Sequence, residues 1–192
     1  MGKTLITTIF EGGAVIAALH KFEPDKLIVI VPTPMHKKRE KAIKTIKKKF
    51  KFINISLLRT KLYDIPVIVN DICKAIDKEK NSIYIHMSES RKTQALAALF
   101  AGFIKKDKIK GVYYIEEETG AVLTMPLLNF RLSSTKTKIL NAVNNGSKSV
   151  PAIIKKVNKK RSIVYDHIKQ LKKDGFLTDD LKLTDAGKIS VM

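Results

Sequence analysis

The segment His86-Met87-Ser88-Glu89-Ser90-Arg91-Lys92-Thr93 gathers the side chains best suited to hold an anion. Three hydroxyls, a guanidinium and an ammonium fall where an apolar strand pattern, Ser82 to His86, gives way to a helical one, Thr93 to Ile104. A helix that starts there aims its free backbone N–H groups and the positive end of its dipole at the same point. That is phosphate-binding chemistry. Two other loops follow apolar runs in the same way: Thr7-Thr8-Ile9-Phe10-Glu11-Gly12-Gly13 and Pro32-Thr33-Pro34. Ligands of open α/β sheets bind at such strand ends, near the point where the strand order reverses. A different chemistry lies further along the chain. Arg161 can pair bidentately with guanine, and Ser162, Tyr165 and Lys169 stand on the outer faces of the same predicted helix. Lys155, Lys156, Lys159, Lys160, Lys172 and Lys173 suit DNA phosphates, and Lys182 suits them from a wing.

The elements that must position these residues follow from hydropathy patterning. Thr4 to Phe10, Leu27 to Val31, Phe52 to Leu57, Ser82 to His86 and Lys110 to Glu116 read as strands. Helical segments separate the strands: Ala14 to Leu19, Lys37 to Lys49 with a lysine-dense outer face, Val67 to Ile76 capped by Asp64, and Thr93 to Ile104. Glu117 to Gly120 is expected as a turn, with Ala121 to Thr124 as an antiparallel hairpin partner. This order predicts an α/β fold: a Rossmann-like, mostly parallel sheet with a terminal β-hairpin. Pro126, Asn129 and Arg131 sit in a stretch without periodicity, and Ser133 and Ser134 read as a helix cap. Residues 1–125 are therefore expected as a ligand-sensing domain, 126–133 as a linker, and 134–192 as a small winged helix-turn-helix.

The pattern behind that last expectation is ordered. The segment Lys136 to Val143 is a first helix, Ala152 to Val157 a second, Asn158-Lys159-Lys160 a turn, and Arg161 to Lys173 a third helix. Val164, Ile168 and Leu171 form the buried stripe of the third. Asp174-Gly175 breaks it, and Phe176-Leu177 and Leu181-Lys182-Leu183 follow as two short strand-like pieces.

Charge agrees with a polyanionic partner. The 192 residues carry a net +19, and residues 132–192 alone carry +8. Other functions find no support. A single cysteine, Cys73, forms neither an intramolecular disulfide nor a Cys-based zinc site. It is expected to be a buried small residue. Gly2-Lys3-Thr4 lacks the strand and glycine of a P-loop, and Gly12-Gly13 is not GxGxxG. His20, His36, His86 and His167 lack metal-ligand spacing, so no metal or catalytic residue is expected. His86 is expected in a pocket wall or a structural role rather than as a base. No apolar run is long enough to span a bilayer and no signal peptide is visible, so a cytoplasmic protein is expected.

Taken together, Thr7-Thr8-Ile9-Phe10, Val31-Pro32-Thr33-Pro34 and Met87-Ser88-Glu89-Ser90-Arg91-Lys92 resemble the pattern of the CRISPR-associated Rossmann fold (CARF) domain. With the hairpin and winged helix behind them, the whole chain resembles the CARF–winged-helix regulators of archaeal CRISPR systems. The resemblance implies a homodimer with one pocket across its twofold axis and a cyclic oligoadenylate as effector, typically cyclic tetra-adenylate, with no other cofactor. It implies that Thr8, Phe10, Glu11 and Thr33 line that pocket and that Met87, Ser88, Glu89, Ser90, Arg91 and Lys92 cradle the ring. Glu89 and Ser90 depart from the commoner glycine-containing form of this loop. A carboxylate facing phosphates is unfavourable, so Glu89 points away or the ligand differs. The expected function is a ligand-responsive transcription regulator that binds double-stranded DNA at CRISPR-related promoters. The alternatives are a metal-independent ring nuclease and a constitutive DNA-binding architectural protein.

Overall fold

The computed structural model describes residues 2–116, 118–127 and 132–192. Glu117 of the expected turn, and Asn129 and Arg131 of the expected linker, lie outside the described residues. The chain divides into two compact units, residues 1–128 and 129–192.

The first unit alternates strand and helix: β1 (Lys3–Thr8), α1 (Gly13–Phe22), β2 (Lys26–Pro32), α2 (Lys37–Lys49), β3 (Asn54–Thr60), α3 (Ile65–Lys78), β4 (Ser82–His86), α4 (Lys92–Ile104), β5 (Ile109–Ile115) and β6 (Val122–Thr124). The sheet order is β3-β2-β1-β4-β5-β6, with β6 alone antiparallel. Both faces of the central strands are buried. Leu5, Leu27, Val29 and Val31 pack with Val15, Leu19, Ile43 and Ile46. Their alternates Ile6, Ile28 and Ile30 are also inaccessible, which is why these strands read as unbroken apolar runs. Asp64 caps α3, its carboxylate accepting from the Val67 N–H. Cys73 is buried, and burial pushes its thiol up to about 11, so it is a packed small residue.

Two strands differ from the sequence expectation: β1 ends at Thr8 rather than Phe10, and β3 is shifted along the chain. Phe52 stands fully exposed in a turn, and β3 begins two residues later, at Asn54. As an edge strand, β3 is only half-buried along most of its length, so its apolar pattern is blurred at both ends.

The second unit holds α5 (Ser134–Asn144), α6 (Val150–Val157), α7 (Arg161–Lys173) and α8 (Asp185–Ile189). Ser133 and Ser149 cap α5 and α6 through their hydroxyls. Asn158 takes the left-handed conformation (φ 51°) that ends α6 and turns the chain into α7. Ile139, Leu140, Ile153, Val157, Val164, Ile168, Leu171 and Leu177 make one core. The two expected strand pieces reduce to a single antiparallel bridge, Leu177 to Leu183.

Candidate functional site

The strands β1 and β4 are adjacent and parallel, with Thr7 opposite His86. The chain leaves β1 towards β2 and leaves β4 towards β5, so the strand order reverses between them. A cleft of about 550 Å³ opens at this point. Of the residues expected there, Phe10, Glu11, Ser88, Glu89 and Ser90 line it, joined by Gly13, Ala14, Ile115 and Glu116. Thr33, Met87, Arg91 and Lys92 are not among its lining residues. The Thr33 N–H is bonded to Thr60 O, and the Met87 N–H to Tyr113 O. Arg91 and Lys92 are exposed at the start of α4. Thr8 is fully buried beneath the loops.

The position of Glu89 is the main departure from the sequence expectation. Its carboxylate does not turn away from the cleft. It crosses to the start of α1, where one oxygen accepts from the N–H groups of Phe10 (3.2 Å), Glu11 (3.0 Å) and Gly12 (2.5 Å). The other accepts from the Ala14 N–H at 2.5 Å. The Gly12 and Ala14 N–H groups are free donors of the α1 N-terminus, which its glycine N-cap has no side chain to satisfy, and those of Phe10 and Glu11 belong to the loop just before it. Gly12 makes the seat possible. Its φ of 95° is in the left-handed region, and an added Cβ would sit 3.2 Å from Ala42 Cβ. Glu89 thus fills, from within the chain, a seat whose chemistry suits a phosphate.

The neighbouring serines are spoken for as well. Ser88 Oγ accepts from the Ile115 N–H at 2.6 Å and ties the loop to β5. Ser90 does not cap α4. Arg91 occupies the N-cap position, with no side-chain cap bond, and the Ser90 hydroxyl donates to Arg91 O.

Beneath the cleft lies a buried polar layer. The Arg39 guanidinium is 2 % exposed, donates to Ile9 O at 2.8 Å and Gln94 Oε1 at 3.3 Å, and lies 5.4 Å from the Phe10 ring. Burial, and secondarily the nearby Arg91 charge, lowers its pKa. His86 Nδ1 is 2.8 Å from Thr7 Oγ1, whose own proton goes to Thr8 O. This assigns the Nδ1–H tautomer and leaves Nε2 as an acceptor. Burial drives the His86 pKa down to about 4, against a smaller upward pull from Glu89. His86 is therefore a neutral structural residue, as expected. Arg39 and Gln94 were not singled out from the sequence. The signal was present in the helical spacing: Arg39 shares a face with Ala42, Ile43 and Ile46, and Gln94 with Ala97, Ala98 and Ala101.

On the second unit, α7 presents Arg161, Ser162, Tyr165 and Lys169 to solvent on the side away from its core stripe. The Arg161 guanidinium lies 5.4 Å from the Tyr165 ring, so the two side chains form one exposed surface. Lys159 and Lys160 are exposed in the turn before it. In the wing, Lys182 is paired with Asp180 at 2.5 Å, which raises the lysine pKa and pulls Asp180 down to about 2. Lys172 donates to Asp179 O at 2.8 Å and braces the wing.

Comparison with known proteins agrees with this division. The HFX_2341_N family (-like, N-terminal) matches residues 5–119, more than half of the chain. The arsR family of bacterial regulatory proteins, a helix-turn-helix family, matches residues 133–179. No curated protein matches the chain in sequence. Among solved structures, the fold is similar to Enterococcus italicus Csm6 bound to cyclic hexa-2'-fluoro-hexa-dAMP. The TM-score is 0.55 at 11 % identity, over 93 % of this chain and 56 % of that one. Protein VC1899 from Vibrio cholerae is similar at TM-score 0.52 and 8 % identity, over 98 % of this chain and 64 % of that one. The chain thus spans a little over half the length of these structures. The chain belongs to the HFX_2341_N-like family, with an arsR-type helix-turn-helix match behind that domain.

Proposed function

We infer that the protein is a CRISPR-associated transcription regulator whose CARF domain senses a cyclic oligoadenylate and whose winged helix binds double-stranded DNA. The observation that carries this reading is the pairing of two sites on one chain. One is a phosphate-type seat at the strand-order reversal, made by the N–H groups of Phe10, Glu11, Gly12 and Ala14. The other is the exposed Arg161–Tyr165–Lys169 face of α7, in the position of a recognition helix. The Csm6 likeness supports the ligand class through the fold, and the helix-turn-helix match supports the DNA partner.

The active form is a homodimer. Helix α4 carries no charge from Thr93 to Ile104, and Leu96 is 44 % exposed beside half-buried Leu99, Phe100 and Phe103. Such a face suits burial against its own copy. A ring with twofold symmetry then meets the same loops from both subunits. Glu89 must yield its seat to a ring phosphate, with Arg91 and Lys92 at the rim supplying positive charge. Cyclic tetra-adenylate is the effector proposed.

Calorimetric titration of the full chain with cyclic tetra-adenylate and cyclic hexa-adenylate tests the sensor, beside an Arg91→Ala/Lys92→Ala variant. The expected result is one ring per dimer, with binding weakened in the variant. Absence of heat with either ring refutes the ligand. Recovery of cleaved ring after long incubation would replace the sensor reading with that of a ring nuclease.

A further inference from the structure

We propose that the outer face of α2 is a second, sequence-independent binding surface for duplex DNA, on the CARF domain itself. Exposed on and just beyond this helix are Lys37, Lys38, Lys41, Lys44, Lys47, Lys48, Lys49 and Lys51, with Glu40 as the single acidic residue. Elsewhere on this unit some lysines meet carboxylates: Lys26 with Glu79, Lys105 and Lys108 with Asp77, and Lys61 with Asp64. On α2, Lys38 alone has a carboxylate partner among the described residues, Glu11 at 3.1 Å.

Spacing concentrates the charge. Lys44, Lys47 and Lys48 recur at i, i+3 and i+4, the period of one helical face, and Lys51 follows in the turn just past the helix end. The four-residue step from Lys44 to Lys48 covers about 6 Å of helix axis. A row of cations that dense repels itself unless a polyanion neutralises it. Duplex DNA offers one phosphate per about 1.7 Å of axis.

The chemistry narrows the partner further. The exposed cations are all lysines, which meet phosphates as point charges, and none is the arginine that reads guanine bidentately. Exposed Phe52 is one aromatic beyond the end of the row, not the succession of rings on which single-stranded bases stack. A membrane surface fits less well, because the apolar face of α2 (Ala42, Ile43, Ile46) is buried in the core and has nothing to insert. The choice of duplex DNA rests on the reading of α7 above.

The test is the salt dependence of binding to random-sequence duplex DNA by the full chain and by K44Q/K47Q/K48Q/K51Q. These four residues lie outside the linings of both the main cleft and the smaller hollow beside Glu11. The slope of log K against log salt should become shallower by about 3.6 in the variant, since each phosphate neutralised by one of the four lysines contributes ~0.9 to it. On the unmodified protein, DNA should protect the same lysines from acetylation, a readout that needs no folded variant. An unchanged slope with equal acetylation overturns the proposal. So does wild-type binding to phosphatidylserine vesicles that the variant loses while its DNA binding is intact. The two readings fail separately. If Arg161→Ala/Lys169→Ala leaves duplex binding untouched while the α2 variant weakens it, the recognition-helix reading falls and this one stands.

Discussion

Glu89 holds the two loops of the cleft together. A carboxylate that accepts four backbone N–H bonds does the work of an N-cap from a distant part of the chain. Glu89→Ala should destabilise the protein by about 2 kcal/mol, in the range for losing hydrogen bonds to a charged group. Glu89→Gln, which keeps one acceptor oxygen, should lose less. Urea unfolding measures both. The same substitution removes an internal competitor and a negative charge from the proposed phosphate seat. Glu89→Ala should therefore bind the ring about fivefold tighter or more, as expected for relief of about 1 kcal/mol. Weaker ring binding would mean that Glu89 positions the ligand rather than competing with it. His86 gives a separate signature. Its folded pKa, about 4, lies below the ordinary 6.5, so the unfolded chain takes up the proton first. Stability should fall as pH drops from 6.5 to 4, by up to about 3 kcal/mol, and should be unaffected by this group above 7. Unfolding free energies across that range should show the slope in the wild type and a flatter profile in His86→Gln.

At the scale of elements, α7 is built for exposure on one side and burial on the other, and the turn before it and the wing after it fix its angle. Gly187 is the tightest point of that arrangement. A Cβ there would run into the carbonyl oxygen of Phe176, the residue whose oxygen also accepts from the Thr184 N–H. Gly187→Ala should cost roughly 1–3 kcal/mol, the range for overpacking. It should weaken DNA binding by releasing the wing, while ring binding by the first unit is retained. Thermal melts and DNA titrations check this; loss of ring binding as well would indicate global unfolding. Arg161→Ala should cost about 1–3 kcal/mol at one operator position and relax specificity there. An equal loss on random DNA would make it a phosphate-binding residue.

The ends of β4, α2 and α7 were legible in the sequence because turn residues or a change of period bound each of them. Asp64, Ser133 and Asn158 mark helix ends with side chains or conformations that the sequence declares. β3 was misplaced because Phe52 is β-forming in type but exposed in fact, and an edge strand buries too little to correct the reading. The strand-end loops of the cleft were also legible, through the alternation of strand and helix. The hydrogen bonds inside it were not. Glu89 meets partners 75 to 79 residues away, and no local pattern encodes that pairing. Arg39 is set inward by its period, which it shares with Ala42, Ile43 and Ile46, against the surface preference of its charge.

At the scale of the whole molecule, the proposed function joins a sensor of a twofold ring to a pair of recognition helices in a dimer. A ligand changes DNA affinity only if it binds the two arrangements of that dimer unequally. The second lysine surface on α2 would add salt-sensitive affinity without sequence preference, leaving discrimination to α7. The most direct measurement is the affinity of the full chain for DNA from CRISPR-related promoters, with and without saturating cyclic tetra-adenylate at fixed salt. A ligand-gated regulator should show a shift of about fivefold or more, the usual lower end of allosteric coupling. Identical affinities with the ring bound would contradict that reading.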